Sequence, residues 1–243
     1  MKPSDAERLI VALDTPGLRE AAELLDALAG CVSYFKIGHQ LFTAAGPRAV
    51  SLVKDRGARV FLDLKYHDIP HTVAGAVESA AALGVDMLNL HASGGAAMME
   101  AAAKAAGSSS HRPALLAVTA LTSMDRKCLE ETTGIAGLSV EDHVLRLASL
   151  AKASGLDGVV ASPREILPLR QRLGCGFIIL TPGIRQAGSP PDDQKRTATA
   201  SEAVAAGADY VVVGRPITRA PHPLTAARTI ISELSDALSR PHP

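Results

Sequence analysis

Eight short apolar runs, each followed by a turn and then by an Ala- and Leu-rich amphipathic stretch, constrain the fold of this chain most strongly. The runs are RLIVAL (8–13), YFKI (34–37), VFLDL (60–64), DMLNL (86–90), ALLAVT (114–119), DGVVA (157–161), GFIIL (176–180) and DYVVV (209–213). The amphipathic stretches predict helices, for example over 17–29, 72–83, 95–106, 139–154 and 163–172. Strands that alternate with helices indicate right-handed crossovers and a parallel sheet.

The number of these units decides between two ways of arranging a parallel sheet. Eight strand–helix units in a chain of 243 residues are typical of a closed barrel. An open doubly wound sheet is the structural alternative, and it usually carries a G-x-G-x-x-G motif after the first strand, where this sequence has none. The predicted fold class is therefore α/β: a (β/α)8 TIM barrel of eight parallel strands, forming a single domain over residues 1–243.

Charge and cysteine content indicate which functions are disfavoured and which cellular compartment suits the chain. Lys and Arg number 25, as do Asp and Glu, whereas a nucleic-acid-binding domain usually carries a basic excess. The three cysteines lie far apart without C-x-x-C spacing, which disfavours disulfides and zinc and fits a reducing cytoplasm. The segment MKPSDAERLIVALDTP holds no long uninterrupted apolar stretch, so we expect neither a signal peptide nor a membrane partner.

Polar residues follow the apolar runs, at the ends where a barrel of this kind builds its active site. They are Asp14 after the first run, Lys36 in the second, Asp63, Lys65 and Asp68 with the third, Asn89 and His91 with the fourth, Thr122 and Ser123 after the fifth, Arg185 after the seventh, and Gly214 and Arg215 after the eighth. The carboxyl ends of parallel strands meet at one rim, so the sequence predicts that these residues gather there.

The third run, within FLDLKYHDIP (61–70), carries charges in an otherwise apolar strand. Residues i and i+2 of a strand share a face. Leu62 and Leu64 are therefore predicted to face the helices, while Asp63 and Lys65 point into the barrel mouth as neighbours.

Two interpretations of this inward-facing charge pair are open. It is a structural ion pair, or it belongs to an active site. An ion pair that points inward is costly to desolvate unless further charged partners surround it. Lys36 and Asp14, from neighbouring strands, are candidates for those partners.

The seventh and eighth runs end in residues suited to an anion. Gly214 would let a phosphate approach backbone N–H groups, and Arg215 would add a charge-assisted fork. Arg185 follows the seventh run, and barrels of this type often bind phosphate after strands seven and eight. The alternative for either arginine alone is a surface residue without a ligand; the joint placement favours a phosphate site.

A metal site is the less favoured interpretation of the histidines near the third run. His67 and His71 are four residues apart, a spacing that binds metal on a helix. Pro70 lies between them, so this segment is a turn that leads into a helix, and we expect no metal there. For Asn89 and His91 the sequence suggests no more than bracing of the rim.

Seven motifs together resemble a known enzyme family in order and along nearly the whole chain. They are VALDTP, FKIG, FLDLKYHDIPHTV, LTS, LTPGIR, DDQKR and VVVGRPIT. The pattern resembles orotidine 5′-phosphate decarboxylases of the bacterial type. The D-x-K-x-x-D core is shared with related sugar-phosphate enzymes, and the ordered combination with LTPGIR, DDQKR and VGRPI is more specific.

The resemblance implies the catalytic roles. Lys65 resembles the catalytic lysine, and Asp63 the carboxylate beside the departing carboxylate of the substrate. Lys36 joins this charged set. Asp68 resembles the aspartate that crosses the interface of a homodimer into the partner's site, with Thr72 close by.

The resemblance also implies how the nucleotide is bound. Asp14 and Lys36 would hold ribose hydroxyls, and Thr122 and Ser123 would lie near the pyrimidine. The phosphate-binding site and the residues beside it would comprise Pro182, Arg185, Gln194, Gly214 and Arg215, with Gln194 on a mobile loop over 186–196. The implied reaction is the last step of de novo UMP synthesis, orotidine 5′-monophosphate to uridine 5′-monophosphate and CO2, without a cofactor or metal.

Three rival functions are less favoured than this one. A Schiff-base aldolase needs a neutral lysine, but acids at 63 and 68 favour the protonated form of Lys65. A magnesium-dependent sugar-phosphate enzyme would use the same carboxylates for metal and would be inactivated by a chelator. A non-catalytic nucleotide-binding protein would need the phosphate site and not Lys65.

Overall fold

The eight apolar runs form the eight parallel strands of a closed barrel. The computed structural model describes residues 3–185 and 198–239. The strands are β1 (Leu9–Ala12), β2 (Tyr34–Gly38), β3 (Arg59–Tyr66), β4 (Met87–His91), β5 (Ala114–Val118), β6 (Gly158–Val160), β7 (Ile178–Thr181) and β8 (Tyr210–Val213). Each strand pairs with its sequence neighbour, and β8 pairs with β1, which confirms the predicted barrel.

Helices follow the strands around the outside of the barrel. They are α1 (Leu18–Ala27), α2 (His39–Ala45), α3 (Arg48–Lys54), α4 (Pro70–Ala82), α5 (Ala96–Ser108), α6 (Arg126–Thr133), α7 (Val140–Ala153), α8 (Ile166–Leu173), α9 (Ala200–Ala205), α10 (Arg215–Thr218) and α11 (Pro223–Ser239). Helix α4 begins two residues before the predicted 72, because the fixed φ of Pro70 suits the first turn of a helix. Helix α6 lies inside the long connection after β5, and the carboxylate of Asp125 caps it by accepting the N–H of Cys128.

Two apolar layers hold the barrel together. The larger lies between the strands and the helices, and the smaller fills the barrel interior with Ile10, Ala12, Tyr34, Phe61, Met87, Leu116, Leu180 and Val212. Tyr34 packs edge-on against Tyr210, with ring centroids 6.0 Å apart, and the Arg59 guanidinium lies 4.6 Å from the centroid of its ring. The filled interior makes the barrel a packed core, so we expect a ligand to bind at the rim.

The amino ends of the strands carry a repeated carboxylate clamp. In three places the residue just before an even-numbered strand is an aspartate that accepts a backbone N–H of the preceding strand. The pairs are Asp86 with Val60, Asp157 with Leu115 and Asp209 with Ile179. Each aspartate also contacts a basic side chain, respectively Lys54, Arg112 and Arg170. Acids at this end of the barrel thus pair strands, and those at the opposite rim are available for chemistry.

No helix within residues 3–185 and 198–239 is both long and apolar enough to cross a membrane.

Candidate active site

A cavity of about 440 Å³ opens at the carboxyl ends of the strands. Among the residues predicted from the sequence, it is lined by Asp14, Lys36, Asp63, Lys65, Thr122, Pro182, Arg185, Gly214 and Arg215. These residues come from β1, β2, β3, the connection after β5, β7 and β8 or from the turns that follow them. The rim therefore brings together groups that are as far apart as 201 positions in the chain, counted from Asp14 to Arg215.

Four of these residues form a row of alternating charge. The Lys36 ammonium lies 3.0 Å from Asp14 Oδ1 and 3.4 Å from Asp63 Oδ2. The other carboxylate oxygen of Asp63, Oδ1, lies 2.6 Å from Lys65 Nζ. Each cation in the row therefore contacts a carboxylate, and each oxygen of Asp63 contacts a different lysine.

The row keeps its two inner members charged in spite of burial. Burial by itself would lower the pKa of Lys36, but the carboxylates of Asp63 and Asp14 outweigh it, so that the pKa is raised. Burial would likewise raise the pKa of Asp63, but the ammonium groups of Lys36 and Lys65 outweigh it and the pKa is lowered. Hydrogen bonds from Lys65 and Asn89 act in the same direction. The cavity thus presents fixed charges of both signs.

Asn89 contributes more to the row than the sequence suggested. Its side chain is buried, donates from Nδ2 to Asp63 Oδ1 at 2.7 Å, and accepts the backbone N–H of Lys65 at 2.8 Å. An amide between two leucines of a barrel strand is the signal that could have predicted this role, because a polar residue on a buried strand needs hydrogen-bond partners.

Strict alternation along β3 does not describe how Lys65 reaches the cavity. The β3–β4 register shifts between Leu62 and Tyr66, and Lys65 has a φ of 49°, in the left-handed region. Asp63 and Lys65 both line the cavity as predicted, but a bulge, and not a regular pleat, places them there.

Further residues of the cavity escaped the sequence interpretation. Gln40, Thr218 and Arg219 line it. Gly38 matters through the side chain it lacks: a Cβ there would lie 2.9 Å from Lys36 Nζ and 3.1 Å from Asp14 Oδ1. Neither a glycine at a strand end nor a polar residue at the start or end of a short helix is distinctive in a single sequence.

Three of the predicted phosphate-binding residues, Arg185, Gly214 and Arg215, line the cavity after the neighbouring strands β7 and β8. Gly214 precedes the short helix α10, which starts at Arg215. The backbone N–H of Arg185 donates to the carbonyl of Ala198 at 2.9 Å, and this contact fixes the chain after β7. Two guanidinium groups and a glycine at the ends of β7 and β8 are chemically suited to an anion of phosphate size.

Several predicted residues lie away from this cavity or outside the described residues. Asp68 and Thr72 are exposed and do not line it; the Asp68 carboxylate accepts the N–H of Ile69. Ser123 is also exposed and outside the lining, although its neighbour Thr122 belongs to it. Gln194 and the loop over 186–196 lie outside the described residues.

The histidines near β3 pack against one another and form no metal centre within the described ranges 3–185 and 198–239. The rings of His67 and His91 have centroids 5.4 Å apart. Burial lowers the pKa of His91, and the proximity of His67 and Lys65 lowers it further. No group of three His, Cys, Asp or Glu side chains within those ranges is placed to hold a metal ion.

Comparison with known proteins finds one enzyme family that matches almost the whole chain. Residues 7–230 match the model of the family described as orotidine 5′-phosphate decarboxylase / HUMPS. A protein of Moorella thermoacetica named orotidine 5′-phosphate decarboxylase is 53% identical over 233 residues, which cover 94% of this chain and 92% of that protein. One of the same name from Nitrosococcus oceani is 50% identical, with 96% of this chain and 99% of the relative covered.

A solved structure supports the comparison at the level of the fold. The crystal structure of orotidine 5′-phosphate decarboxylase from Lactobacillus acidophilus matches with a TM-score of 0.83 and 36% identity, over 94% of this chain and 99% of that one. The closed barrel, the charged row at its rim and these matches all agree, and the chain belongs to the orotidine 5′-phosphate decarboxylase / HUMPS family.

Proposed function

We propose that this chain converts orotidine 5′-monophosphate to uridine 5′-monophosphate and CO2, without a cofactor, as the last step of de novo UMP synthesis. Near-full-length relatives at about half identity bear the name of this activity. The observation that supports residue roles is the charged row, in which Asp63 contacts Lys36 and Lys65 through different oxygens.

The reaction is difficult because of where its electrons go. When the bond between C6 and the carboxylate breaks, the electron pair stays on C6 in the plane of the ring, where the π system cannot delocalise it. An enzyme must lower such a barrier by on the order of 20 kcal/mol. Fixed charges that need no reorganisation are the means available to side chains.

In this proposal Lys65 acts on the reacting carbon. Its ammonium stabilises the negative charge that develops on C6 and then donates a proton to it, so that a C–H bond replaces the C–C bond. The resulting neutral amine takes up a proton from solvent, and the overall reaction consumes one proton and releases CO2.

Asp63 and Lys36 prepare the site for this step. Asp63 lies beside the substrate carboxylate, and the repulsion between the two carboxylates ends as CO2 leaves. This relief contributes less to the rate enhancement than stabilisation of the carbanion does. Lys36 pairs with Asp63 on the side away from Lys65 and, with Asp14, holds the ribose hydroxyls. Thr122 lies at the pyrimidine side of the same cavity.

The phosphate supplies binding energy far from the reacting carbon. Arg185, Gly214 and Arg215 bind it, and Pro182 shapes the wall beside them. The family resemblance adds Gln194, which lies outside the described residues, to these phosphate-binding groups. Binding energy from a remote group of this kind serves to assemble the charged site and so raises the rate of the chemical step.

A homodimer would complete each site. Asp68 and Thr72 are exposed on the chain described, next to Ile69, an apolar residue that is 66% exposed. In the proposal a second copy covers this surface and receives Asp68 and Thr72 into its own site. We place the enzyme in the cytoplasm, acting on a free nucleotide and on neither nucleic acid nor membranes.

In the decisive experiment, purified protein is incubated with orotidine 5′-monophosphate and a chelator, and the loss of orotate absorbance is measured. Turnover that persists with chelator supports the proposal, whereas persistence of the substrate would contradict it, and turnover that needs added magnesium would contradict a metal-free reaction. Lys65→Ala should abolish turnover while nucleotide binding remains. An unchanged rate in Lys65→Ala would contradict the role of that lysine.

Subunit mixing tests the shared site. Lys65→Ala and Asp68→Ala chains, each of low activity, should regain activity when mixed and allowed to exchange, because one site of a hybrid dimer then has both residues intact. A mixture no more active than its components would exclude the action of Asp68 across subunits.

A further inference from the structure

The bulge in β3 leaves a gap in the strand pairing at the position of the charged row. Leu62 pairs with Leu88 and Tyr66 pairs with Leu90. Three residues of β3 therefore lie opposite one residue of β4, which is Asn89. A bulge of this kind leaves backbone groups without a ladder partner, and a buried N–H without an acceptor is costly.

The side chain of Asn89 makes two hydrogen bonds to β3 at this gap, one to the backbone of Lys65 and one to the side chain of Asp63. Its Oδ1 accepts the N–H of Lys65, the residue whose backbone is in the left-handed region, at 2.8 Å. Its Nδ2 donates to Asp63 Oδ1 at 2.7 Å. Because an amide oxygen only accepts and an amide nitrogen only donates, the two partners determine the orientation of the amide.

The backbone of Asn89 belongs to a regular part of the barrel. It pairs with Leu116 of β5, and the neighbouring Leu88 is fully buried in the outer core. The residue itself is 1% exposed. The amide is therefore attached to a rigid support while it contacts the irregular strand that carries the two charges.

We propose that Asn89 is a positioning residue, which holds the Lys65 backbone in its left-handed conformation and keeps one hydrogen-bonding site of Asp63 Oδ1 occupied. Asp63 Oδ1 then accepts from Asn89 and from Lys65 Nζ, while Oδ2 is left for Lys36. This division prevents Asp63 from turning both oxygens toward Lys65, so that the remaining N–H bonds of Lys65 stay available to C6. The inference rests on the proposed function of the charged row.

The first variant removes the amide. In Asn89→Ala, the N–H of Lys65 loses its acceptor and Asp63 Oδ1 loses one of its two donors, so Lys65 is free to move by a fraction of an ångström. A shift of that order costs about 10–100-fold in turnover. We expect kcat to fall by about this factor, with a KM change below about 3-fold, because the phosphate and ribose contacts are elsewhere.

The second variant gives a signature that a structural role would not produce. Asn89→Asp has nearly the same shape and still accepts the N–H of Lys65, but places a second carboxylate against Asp63. Two such carboxylates retain a proton between them, which raises the pKa of one. The protonated form donates to Asp63 as the amide does. Activity in Asn89→Asp should therefore be highest at low pH and fall as pH rises, relative to wild type.

Leu88→Ala serves as the matched control on the same strand. It removes buried apolar contacts of the outer core next to Asn89 and touches none of the charges. We expect a lower melting temperature with kcat and its pH profile unchanged. This control shows what loss of stability alone does to the kinetics.

The outcomes separate this inference from the proposed function. If wild type turns over substrate and Asn89→Asp follows the wild-type pH profile, or Asn89→Ala raises KM with kcat intact, the positioning role is wrong and the reaction stands. If wild type fails to turn over orotidine 5′-monophosphate, the proposed function itself is wrong. A new pH dependence in Asn89→Asp, absent from Leu88→Ala, supports the inference.

Discussion

Gly38→Ala should slow turnover without weakening the fold. Gly38 has φ −98° and ψ −173°, which alanine adopts without strain. The added Cβ would lie 2.9 Å from Lys36 Nζ, so the ammonium must retreat by about 0.5 Å to restore an ordinary contact. The same Cβ would lie 3.1 Å from Asp14 Oδ1. Both members of one ion pair in the charged row are therefore displaced.

The size of the effect follows from this displacement. A misplacement of 1 Å costs about 10²-fold in rate, so half of it should cost about 10-fold in kcat/KM. Alanine also restricts the unfolded chain more than glycine does, which contributes about 0.4–1 kcal/mol toward the stability of the fold. We expect the variant to be about 10-fold slower at a melting temperature equal to or above that of wild type.

Steady-state kinetics and thermal unfolding of the same preparations measure both quantities. Gly107→Ala is the matched control, because Gly107 lies in α5 with no heavy atom within 4 Å of an added Cβ. It should gain stability and keep wild-type kinetics. Wild-type kcat/KM in Gly38→Ala would refute the claim that the position of the Lys36 ammonium limits catalysis, and a parallel loss of stability would point to packing instead.

Two further predictions concern stability and pH. Asp209→Ala removes the carboxylate that accepts the N–H of Ile179 at 2.9 Å and contacts Arg170 at 2.7 Å; urea unfolding should show a loss of about 1–3 kcal/mol, with kcat unchanged because the clamp lies at the opposite end of the barrel. A change in kcat larger than the change in folded fraction would contradict this separation. The pKa of Asp63 is lower in the folded protein than in the unfolded chain, where it is about 4. The ionised carboxylate therefore stabilises the fold above about pH 4, and this stability is lost as the pH falls through the lower folded pKa. The difference in unfolding free energy between wild type and Asp63→Asn should therefore shrink on acidification below about pH 4, and a difference that stays constant would exclude this linkage.

The fold was predictable because its signal is local and repeated. Each apolar run is a strand and each amphipathic stretch a helix, since burial on both faces of a parallel strand requires a continuous apolar segment. The charges at the third run were recognisable for the same reason, as they interrupt such a segment. The boundaries of α4 and the presence of α6 depended on local capping by Pro70 and Asp125, which the broader pattern did not resolve.

What the sequence by itself determined is the barrel, the end of it that carries the cavity, and the identity of the charged residues there. Only the tertiary structure decided how those charges are divided among partners. The contact between Asn89 and Asp63 joins residues 26 positions apart, and the space left by Gly38 matters only because Lys36 and Asp14 occupy it. Such contacts depend on the register between strands, and the bulge in β3 changes that register in a way that alternation along one strand cannot reveal.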